Sequence, residues 1–266
     1  MPASLGLLVA TLSGLYTSLW GAFKDCPYEN FKPRTFPRSI YFSLLIFGFY
    51  TLLARLFADF GSFWSQMGIV QSFFFVMGIE RFVSELYKGF FRHEDQSKYF
   101  IPSRITFFGK PVVSETLRLS LGILLVSLTL AAALLPFPMQ SYTQFLVVAY
   151  VTGLFVSFGG AYKDAPFEGF DWVKFQRSAL VLACSSPLFF KLGPAPLGVL
   201  IYMNGGLERF LVEYYKTYIK RNMSGKFRPD LHIYVEQKQR REKFHLLALA
   251  LIAGLLAMYI YELRGL

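Results

Sequence analysis

Residues 14–39 of this chain read GLYTSLWGAFKDCPYENFKPRTFPRS, and residues 153–178 read GLFVSFGGAYKDAPFEGFDWVKFQRS. The two strings align without a gap and are identical at 13 of 26 positions. A second pair is GIERFVSELYK at 78–88 and GLERFLVEYYK at 206–216, with 7 identities in 11 positions. Two segments repeated in the same order indicate that the chain contains a duplicated structural unit.

The composition is typical of a membrane protein. Of the 266 residues, 54% are hydrophobic and 18% aromatic against 17% charged, which is too apolar for a soluble domain of this size. A helix needs roughly 20 apolar residues to cross a hydrocarbon core about 30 Å thick. We therefore predict an all-α polytopic membrane protein of about eight transmembrane helices; whether the sixth, which is short and contains Pro187 and Lys191, fully spans stays open. The eight stretches are 3–22, 40–57, 62–83, 117–136, 144–162, 179–192, 196–215 and 245–262.

Lysine and arginine predict which side of the membrane each loop faces, because short loops that carry them stay in the cytoplasm. Assigning alternate connections to one side places 24 of the 27 Lys and Arg residues there, and only Arg55, Lys191 and Arg264 on the other side. Both termini should then lie outside the cell. The net charge of +10 is explained by topology and does not indicate a nucleic-acid partner. The loops predicted to be cytoplasmic are 24–39, 88–116, 163–178 and 216–244.

The duplication divides the chain into two tandem repeats within one membrane domain. Residues 1–136 contain the first four predicted helices, and residues 137–266 contain the other four. Because four is an even number, both repeats enter the membrane in the same direction. The repeats should therefore be related by a pseudo-two-fold axis along the membrane normal, and all four repeated segments should lie at the cytoplasmic side.

The KDxPxExF motif supplies candidate catalytic residues, because each copy has two carboxylates four residues apart with basic residues beside them. Carboxylates with few other protein ligands suit Mg²⁺, which commonly bridges to substrate phosphates, and Lys and Arg bind phosphate directly. The alternative is a tight connection in which proline ends a helix and aspartate caps the next. The candidate catalytic and Mg²⁺-binding residues are Asp25, Glu29, Asp164 and Glu168, and the adjoining substrate-binding candidates are Lys24, Arg38, Lys163 and Arg177.

The ERFxxExYK motif places charges at the end of the third helix of each half. In the first copy a very apolar run, FFFVMGI, precedes the charges, so they should lie near the hydrocarbon boundary, where an unpaired charge is costly. We expect them to be paired or to bind a substrate; the alternative is that they extend toward water and anchor the helix end. These candidates are Glu80, Arg81, Glu85, Lys88, Glu208, Arg209, Glu213 and Lys216.

The two motifs are expected to meet within each half, because each supplies the charge that the other lacks. Arg81 or Lys88 should lie close to Asp25 or Glu29. In the second half the corresponding pairs join Arg209 or Lys216 to Asp164 or Glu168.

No other catalytic or metal-binding pattern is present in the sequence. The two cysteines, Cys26 and Cys184, lie in a predicted loop and a predicted helix, which supports neither a disulfide nor a cysteine metal site. The three histidines show no HExxH or similar spacing. The basic run KQRREK at 238–243 is assigned a topological role.

With these motifs the chain resembles the intramembrane prenyltransferase superfamily, whose members have paired four-helix halves with Asp-rich cytoplasmic loops. DCPYENFKPRTFPRS resembles the first such loop, and DAPFEGFD, with Asp164, Glu168 and Asp171, is similar to the second. The resemblance implies a site for Mg²⁺ and a diphosphate, and transfer of a prenyl group. The first loop differs from the family pattern in having Lys24 before Asp25 where the family usually has asparagine.

Three functions are compatible with these patterns. The first is a membrane-embedded enzyme, such as a transferase, that acts on a phosphate-bearing lipid, since the shared ionisable residues cluster at one interface. The second is a transporter, channel or flippase whose path follows the pseudo-two-fold axis. The third is a structural subunit without catalysis. The partners implied are membrane lipids, and the ligand implied is a phosphate-bearing lipid or a small anion.

Overall fold

The computed structural model of the chain describes residues 3–26, 30–93, 99–221 and 231–265, with only the backbone described at 231–235. The described residues are mostly helical, as the composition predicts. The helices are α1 (Ala3–Lys24), α2 (Arg38–Leu56), α3 (Ala58–Gln66), α4 (Ile69–Leu86), α5 (Glu115–Ala132), α6 (Tyr142–Glu168), α7 (Trp172–Phe190), α8 (Leu197–Tyr214), α9 (Leu231–Arg241) and α10 (Lys243–Arg264). Single π-helical turns, π1 (Tyr87–Phe91) and π2 (Tyr215–Ile219), continue α4 and α8. The strands β1 (Thr106–Phe107) and β2 (Lys110–Pro111) pair antiparallel, as do β3 (Pro138–Met139) and β4 (Ala195–Pro196).

Each of the eight predicted stretches overlaps at least one helix, but the third, fifth and sixth differ clearly from the helices in their bounds. The stretch 62–83 is interrupted between α3 and α4, where Gly68 has an extended backbone. A carboxylate stabilises the new helix start, because Glu262 of α10 accepts hydrogen bonds from the backbone N–H groups of Ile69, at 2.5 Å, and Val70, at 3.4 Å. The sixth stretch is longer than predicted, since α7 has 19 residues and continues through Pro187.

Within the part of the chain that the structure describes, five helical segments are long and apolar enough to cross a membrane, namely α1, α2, α5, α6 and the segment Glu236–Arg264 that includes α10. All but α1, which is half buried, point most of their side chains outward: α10 buries Ala248 alone, and α5 buries Arg118 and Gly122. By contrast, α4 and α8 bury 12 and 13 of their 18 residues. An apolar exterior around a buried, more polar centre agrees with the predicted membrane character, because lipid-facing surfaces are apolar.

The centre of the fold is the crossing of α4 and α8, where two glycines bring the backbones into contact. A Cβ atom added to Gly78 would overlap the carbonyl oxygen of Tyr202, and one added to Gly206 would overlap the carbonyl oxygen of Phe74. Gly78 and Gly206 occupy the same position in the two copies of the ERFxxExYK segment. Small residues permit this close approach, which is a common way for membrane helices to pack.

The packing of α1 on α2 recurs in the packing of α6 on α7. A Cβ atom at Gly14 would lie 2.6 Å from the carbonyl oxygen of Ser39, and one at Gly153 would lie 2.6 Å from that of Ser178. In the repeat, Gly14 aligns with Gly153, and Ser39 aligns with Ser178. The last predicted helix of each half packs differently: α10 packs against α1 and α4, whereas α5 packs against α4 and π1.

The connections that follow the repeated segment also differ, and prolines account for the difference. In the first copy α2 begins only at Arg38, after Pro33 and Pro37, which cannot donate helical hydrogen bonds. The aligned positions hold Trp172 and Gln176, so α7 begins five residues earlier in register, with the Asp171 side chain accepting hydrogen bonds at its start. The prediction of a loop at 163–178 is therefore wrong: α6 continues to residue 168, and only residues 169–171 lie between α6 and α7.

Pro166 does not end α6, which argues against the alternative in which proline ends the helix. Pro166 lies in the last turn and has no N–H group to donate to the carbonyl oxygen of Tyr162, and the helix ends two residues later. Gly169 ends the helix instead, with a φ of 80°, which glycine adopts without the strain that a side chain would add.

We predict that Gly78→Ala and Gly206→Ala each destabilise the protein by about 1–3 kcal/mol, because the added methyl group must push apart two packed backbones. The measurement is the thermal unfolding midpoint of the purified protein in detergent.

Gly48→Ala in α2 and Gly254→Ala in α10 are the matched controls, because a Cβ atom at either position meets nothing within 4 Å. Alanine favours helix over glycine by about 0.5–1 kcal/mol, so the controls should be neutral or stabilised. Equal midpoints for Gly78→Ala and Gly48→Ala would show that the crossing is not tightly packed.

Candidate functional site

Two buried ion pairs join α4 to α8 directly beside the glycine crossing. Glu80 of α4 accepts a hydrogen bond from Arg209 of α8 at 2.8 Å, and Arg81 of α4 pairs with Glu208 of α8. The side chains of Glu80 and Arg209 are 1% and 5% exposed. Glu and Arg are adjacent in both copies of the motif. The same Glu–Arg contact therefore forms twice, once in each direction across the crossing.

Serine hydroxyl groups complete the bonding of both buried carboxylates. Ser84 donates to Glu80 at 2.7 Å, and Ser178 donates to Glu208 at 2.6 Å. Arg81 also donates to the carbonyl oxygen of Gly205 at 3.3 Å. A buried charge is tolerated only when it is paired and hydrogen-bonded, and both carboxylates meet that condition.

These partners differ from the sequence-based expectation for the two arginines, which placed them beside the carboxylates of their own half. The structure pairs Arg81 and Arg209 across the halves, with Glu208 and Glu80. The reason is geometric: successive helix residues are about 100° apart, so at a close crossing the Glu of one helix faces the Arg of the other. Asp25 and Lys88, from the two motifs of the first half, line the same cavity.

A second set of ion pairs is centred on Glu213, which lies farther along α8, and it again joins the two halves. Lys24, the last residue of α1, pairs with Glu213 of α8 at 2.9 Å, and Lys216 approaches Glu213 at 3.5 Å. The ring of Trp20 lies near two cations, with the Lys24 amine 5.3 Å and the Arg209 guanidinium 5.2 Å from its centroid. Cation–π contacts of this kind hold the basic groups in place beside the ion pairs.

These charges line a cavity of about 430 Å³ at one end of the helix bundle, which we call the first cavity. Its walls come from α1, α2, α4, π1, α6, α8, π2 and α9, together with residues in 30–36 and 92–103. Basic residues outnumber acidic ones among the described residues that line it. The basic residues are Lys24, Lys32, Arg38, Lys88, Arg92, Lys163, Arg209, Lys216 and Arg241, and the acidic residues are Asp25, Glu80, Glu85, Asp164 and Glu213.

A β-hairpin fastens one wall of the first cavity to α6. Its two turn residues, Phe108 and Gly109, have φ values of 47° and 79°, as a two-residue turn between β1 and β2 requires. The backbone N–H of Phe108 donates to the Tyr162 hydroxyl at 3.5 Å. Lys163 donates to the carbonyl oxygen of Ser103 at 3.3 Å, so the segment that precedes the hairpin is held against the end of α6.

A smaller cavity of about 130 Å³, which we call the second cavity, adjoins the first. It is built largely from the aligned residues of the other repeat: Gly160, Arg177 and Ser178 stand where Gly21, Arg38 and Ser39 line the first cavity. The two cavities share Asp164 and Lys216, which line both. Each half of the sequence repeat therefore contributes a charged cavity, and the two cavities meet at these shared residues.

Of the candidate residues that the structure describes, all but Glu168 line these cavities. Glu168 is exposed and pairs with Lys174 at 2.7 Å, and Glu29 lies outside the described residues. Lining the first cavity are Lys24, Asp25, Arg38, Glu80, Glu85, Lys88, Lys163, Asp164, Arg209, Glu213 and Lys216; lining the second are Arg81, Asp164, Arg177, Glu208 and Lys216.

Sequence reasoning missed several residues of the first cavity. Arg92 and Tyr99 belong to a connection with no repeated motif, and Arg92 donates to the Tyr99 hydroxyl at 2.8 Å. Arg241 is buried and donates to the carbonyl oxygen of Ala22 at 2.6 Å, although the run KQRREK was assigned a topological role. Trp20 lies inside the quoted repeat but aligns with Gly159, so a search for shared residues passes over it.

The ionisation of two groups outside the predicted spans reflects this environment. Burial lowers the pKa of the Lys216 amine; Glu213 acts in the opposite direction, and the nearby cations Lys24 and Arg177 lower it further. Burial also raises the pKa of the Cys26 thiol to about 11, so this cysteine is an unreactive thiol at neutral pH.

The described part of the chain contains no group of three or more His, Cys, Asp or Glu side chains arranged to hold a metal ion. Asp25 and Asp164 nevertheless line the same cavity. Mg²⁺ is often bound by one or two carboxylates together with substrate phosphates, so these two residues fit a metal that enters with a phosphorylated ligand.

Comparison of the chain with protein-family models, with curated proteins and with solved structures found no match.

We predict that Glu80→Gln and Arg209→Gln each cost about 3–5 kcal/mol, because each leaves its buried partner without a counter-charge. The double variant should lose clearly less than the sum of the two. Unfolding of all four proteins in detergent measures this coupling.

The exposed pair Lys174–Glu168 is the control, and Lys174→Gln should cost less than about 1 kcal/mol. If the effects of Glu80→Gln and Arg209→Gln simply added, the two residues would be energetically independent despite their contact.

Proposed function

We propose that this chain is an integral membrane protein that binds the phosphate or diphosphate group of a lipid in the first cavity, as a transferase would. The observation that carries the proposal is the charge of the cavity wall: nine Lys or Arg residues against five carboxylates in about 430 Å³. Three of those carboxylates, Glu80, Glu85 and Glu213, are already in ion pairs with basic neighbours. A cavity with this excess of cationic donors favours an anionic ligand, and phosphate oxygens suit both Lys and Arg.

The membrane arrangement that we propose has eight spans in two four-helix halves, related by a pseudo-two-fold axis along the membrane normal. Two repeated contacts support it, the glycine packing of α1 on α2 and of α6 on α7, and the reciprocal crossing of α4 and α8. The first cavity lies at the end of the bundle that carries most Lys and Arg residues, which favours a cytoplasmic position. A lipid head group in the inner leaflet would lie at this depth.

The same crossing argues for ligand binding over transport along the axis. Between the two halves the backbones of α4 and α8 touch at Gly78 and Gly206, and buried ion pairs follow directly. A pore or transport path on the axis would have to separate these contacts. A charged cavity on one side of a closed crossing is instead the arrangement that binds and orients a substrate at one leaflet.

Within the first cavity the residues divide into those that bind phosphate and those that position a metal. Arg38 and Lys88, which line the cavity, would contact phosphate oxygens, and Asp25 and Asp164 would hold Mg²⁺ beside the phosphate. Mg²⁺, when bound, neutralises charge on a diphosphate and so favours its departure as a leaving group. The resemblance to intramembrane prenyltransferases stays an expectation that this arrangement supports only through the placement of Asp25 and Asp164.

We predict that diphosphate changes the fluorescence of Trp20, which lines the first cavity. The double variant Trp64→Phe/Trp172→Phe leaves Trp20 as the only tryptophan. Titration with sodium diphosphate should give a saturable signal that Mg²⁺ strengthens, while Mg²⁺ alone should give none. Arg38→Gln should weaken binding about tenfold or more, since a hydrogen bond to a charged group contributes about 1.5–3 kcal/mol.

The matched control is Arg34→Gln, which removes an equal charge from an exposed residue of the same connection outside the cavity wall. Equal weakening by Arg34→Gln and Arg38→Gln would reduce the effect to general surface charge. Mass spectrometry of lipids retained by the purified protein should show a phosphate-bearing lipid that Arg38→Gln loses; retention of neutral lipids alone would argue against a lipid phosphate.

The proposed orientation predicts opposite labelling of two exposed lysine positions after the native cysteines are replaced. In intact cells an impermeant maleimide should label Lys191→Cys, at the end of α7, and should leave Lys32→Cys unlabelled until the membrane is opened. Labelling of Lys32→Cys from outside would place the first cavity on the other side.

A further inference from the structure

The second cavity has charge features that a packing defect between helices would not have. It encloses about 130 Å³ between α6, α7 and the ends of α4 and α8. By the share of liquid volume that one water occupies, this space equals roughly four waters. It has room for a single tetrahedral oxyanion but not for a large head group.

Contacts within the protein account for much of the charge around the second cavity. Arg81 and Glu208 neutralise each other, and Lys174 pairs with Glu168 at 2.7 Å. The Asp171 carboxylate caps α7, accepting hydrogen bonds from the backbone N–H groups of Val173 at 2.8 Å and Lys174 at 3.1 Å. The other cationic groups of the wall are Arg177 and Lys216, which also approaches Glu213 at 3.5 Å, and Asp164 is the acidic neighbour.

Arg177 is the clearest sign that a ligand is missing from these contacts. Its Nε atom is buried and has no hydrogen-bond partner. A buried guanidinium donor without an acceptor costs about 1–3 kcal/mol, and an oxyanion in the cavity would supply the acceptor. Arg177 and Lys216 are also close enough to affect each other electrostatically, so an anion between them would relieve their repulsion.

The differences between the repeats partly offset each other in charge. Lys32 of the first cavity is replaced by Asp171 in the aligned position, and Thr35 is replaced by Lys174. The summed charge of these two positions therefore falls from +1 to 0, while Arg38 is kept as Arg177. Helix α7 includes the residues that align with 33–37, which are not helical in the first half, and Lys174 and Arg177 of α7 line the smaller cavity.

We propose that the second cavity is a separate binding site for one small oxyanion, such as inorganic phosphate or a phosphate monoester, held by Arg177 and Lys216. The shared residues Asp164 and Lys216 place this anion next to the ligand of the first cavity. The site goes beyond the proposed lipid ligand and does not depend on it. Two adjacent phosphate groups would allow the protein to hold a substrate and a released phosphate at the same time.

The test uses a second single-tryptophan protein, Trp20→Phe/Trp64→Phe, in which Trp172 is the reporter. The Trp172 ring packs on Phe170 and Phe175, with centroids at 5.1 Å and 6.0 Å, and both of those rings line the second cavity. Titration with inorganic phosphate in lipid-free detergent should give a saturable change in Trp172 fluorescence. Arg177→Gln should weaken that binding at least tenfold, while Arg177→Lys should keep part of it.

Arg38→Gln, the aligned change in the first cavity, is the matched control and should leave the Trp172 titration within twofold of the parent. Unchanged thermal midpoints would show that Arg177→Gln remains folded; if it does not, Arg177→Lys carries the test. A Trp172 titration that is flat, or that Arg177→Gln and Arg38→Gln weaken equally, would overturn the proposal.

Two further results separate the possible sources of the anion and the two proposals. Phosphatidic acid in nanodiscs that displaces phosphate from the Trp172 site would identify a lipid phosphate as the ligand, and failure to compete would identify free phosphate. Loss of the Trp20 response with a normal Trp172 response would refute the proposed function and leave this site standing.

Discussion

The contact on which the rest of the structure depends is the crossing of α4 and α8 at Gly78 and Gly206. Because neither residue has a side chain, the backbones touch, and the charged residues that follow are brought within hydrogen-bonding distance of the opposite helix. Four charges in an apolar interior are tolerated only as pairs, so Glu80 and Glu208 fix the rotation of both helices. The close packing and the ion pairs thus require each other.

The cavities follow from what surrounds that crossing. The same motif residues stand on both sides, yet the spaces measure about 430 and 130 Å³. Pro33 and Pro37 delay the start of α2, so an irregular segment lies beside the larger cavity. In the second half Asp171 caps α7 at an earlier aligned position, so helical residues lie beside the smaller cavity. A few substitutions within a duplicated unit therefore produced two charged sites of different size, which suits two ligands better than one symmetric function.

The helices, and the gathering of the repeated charged residues in one region of the fold, could be predicted from the sequence, because hydropathy and repetition depend on local composition. The partners of the charges could not: whether Arg81 meets Asp25 or Glu208 depends on how closely two helices cross, which no local pattern records. Glu168 was misplaced because Pro166 did not stop α6. Trp20 and Arg92 were missed because neither belongs to the shared motifs.

The distribution of polarity across the whole molecule connects the fold to the proposed ligand. Apolar helices such as α5 and α10 face outward, while α4 and α8 carry their charges to the buried end of the crossing. The first cavity consequently opens where apolar helices end and basic residues begin. Water-soluble anions would need only the charges, and a free lipid tail would need only the apolar surface. A lipid that carries a phosphate group would use both the charges and the apolar surface, with its phosphate in the cavity and its hydrocarbon chain against the apolar helices. The bond between these two parts of the lipid would lie at the boundary between the two surfaces.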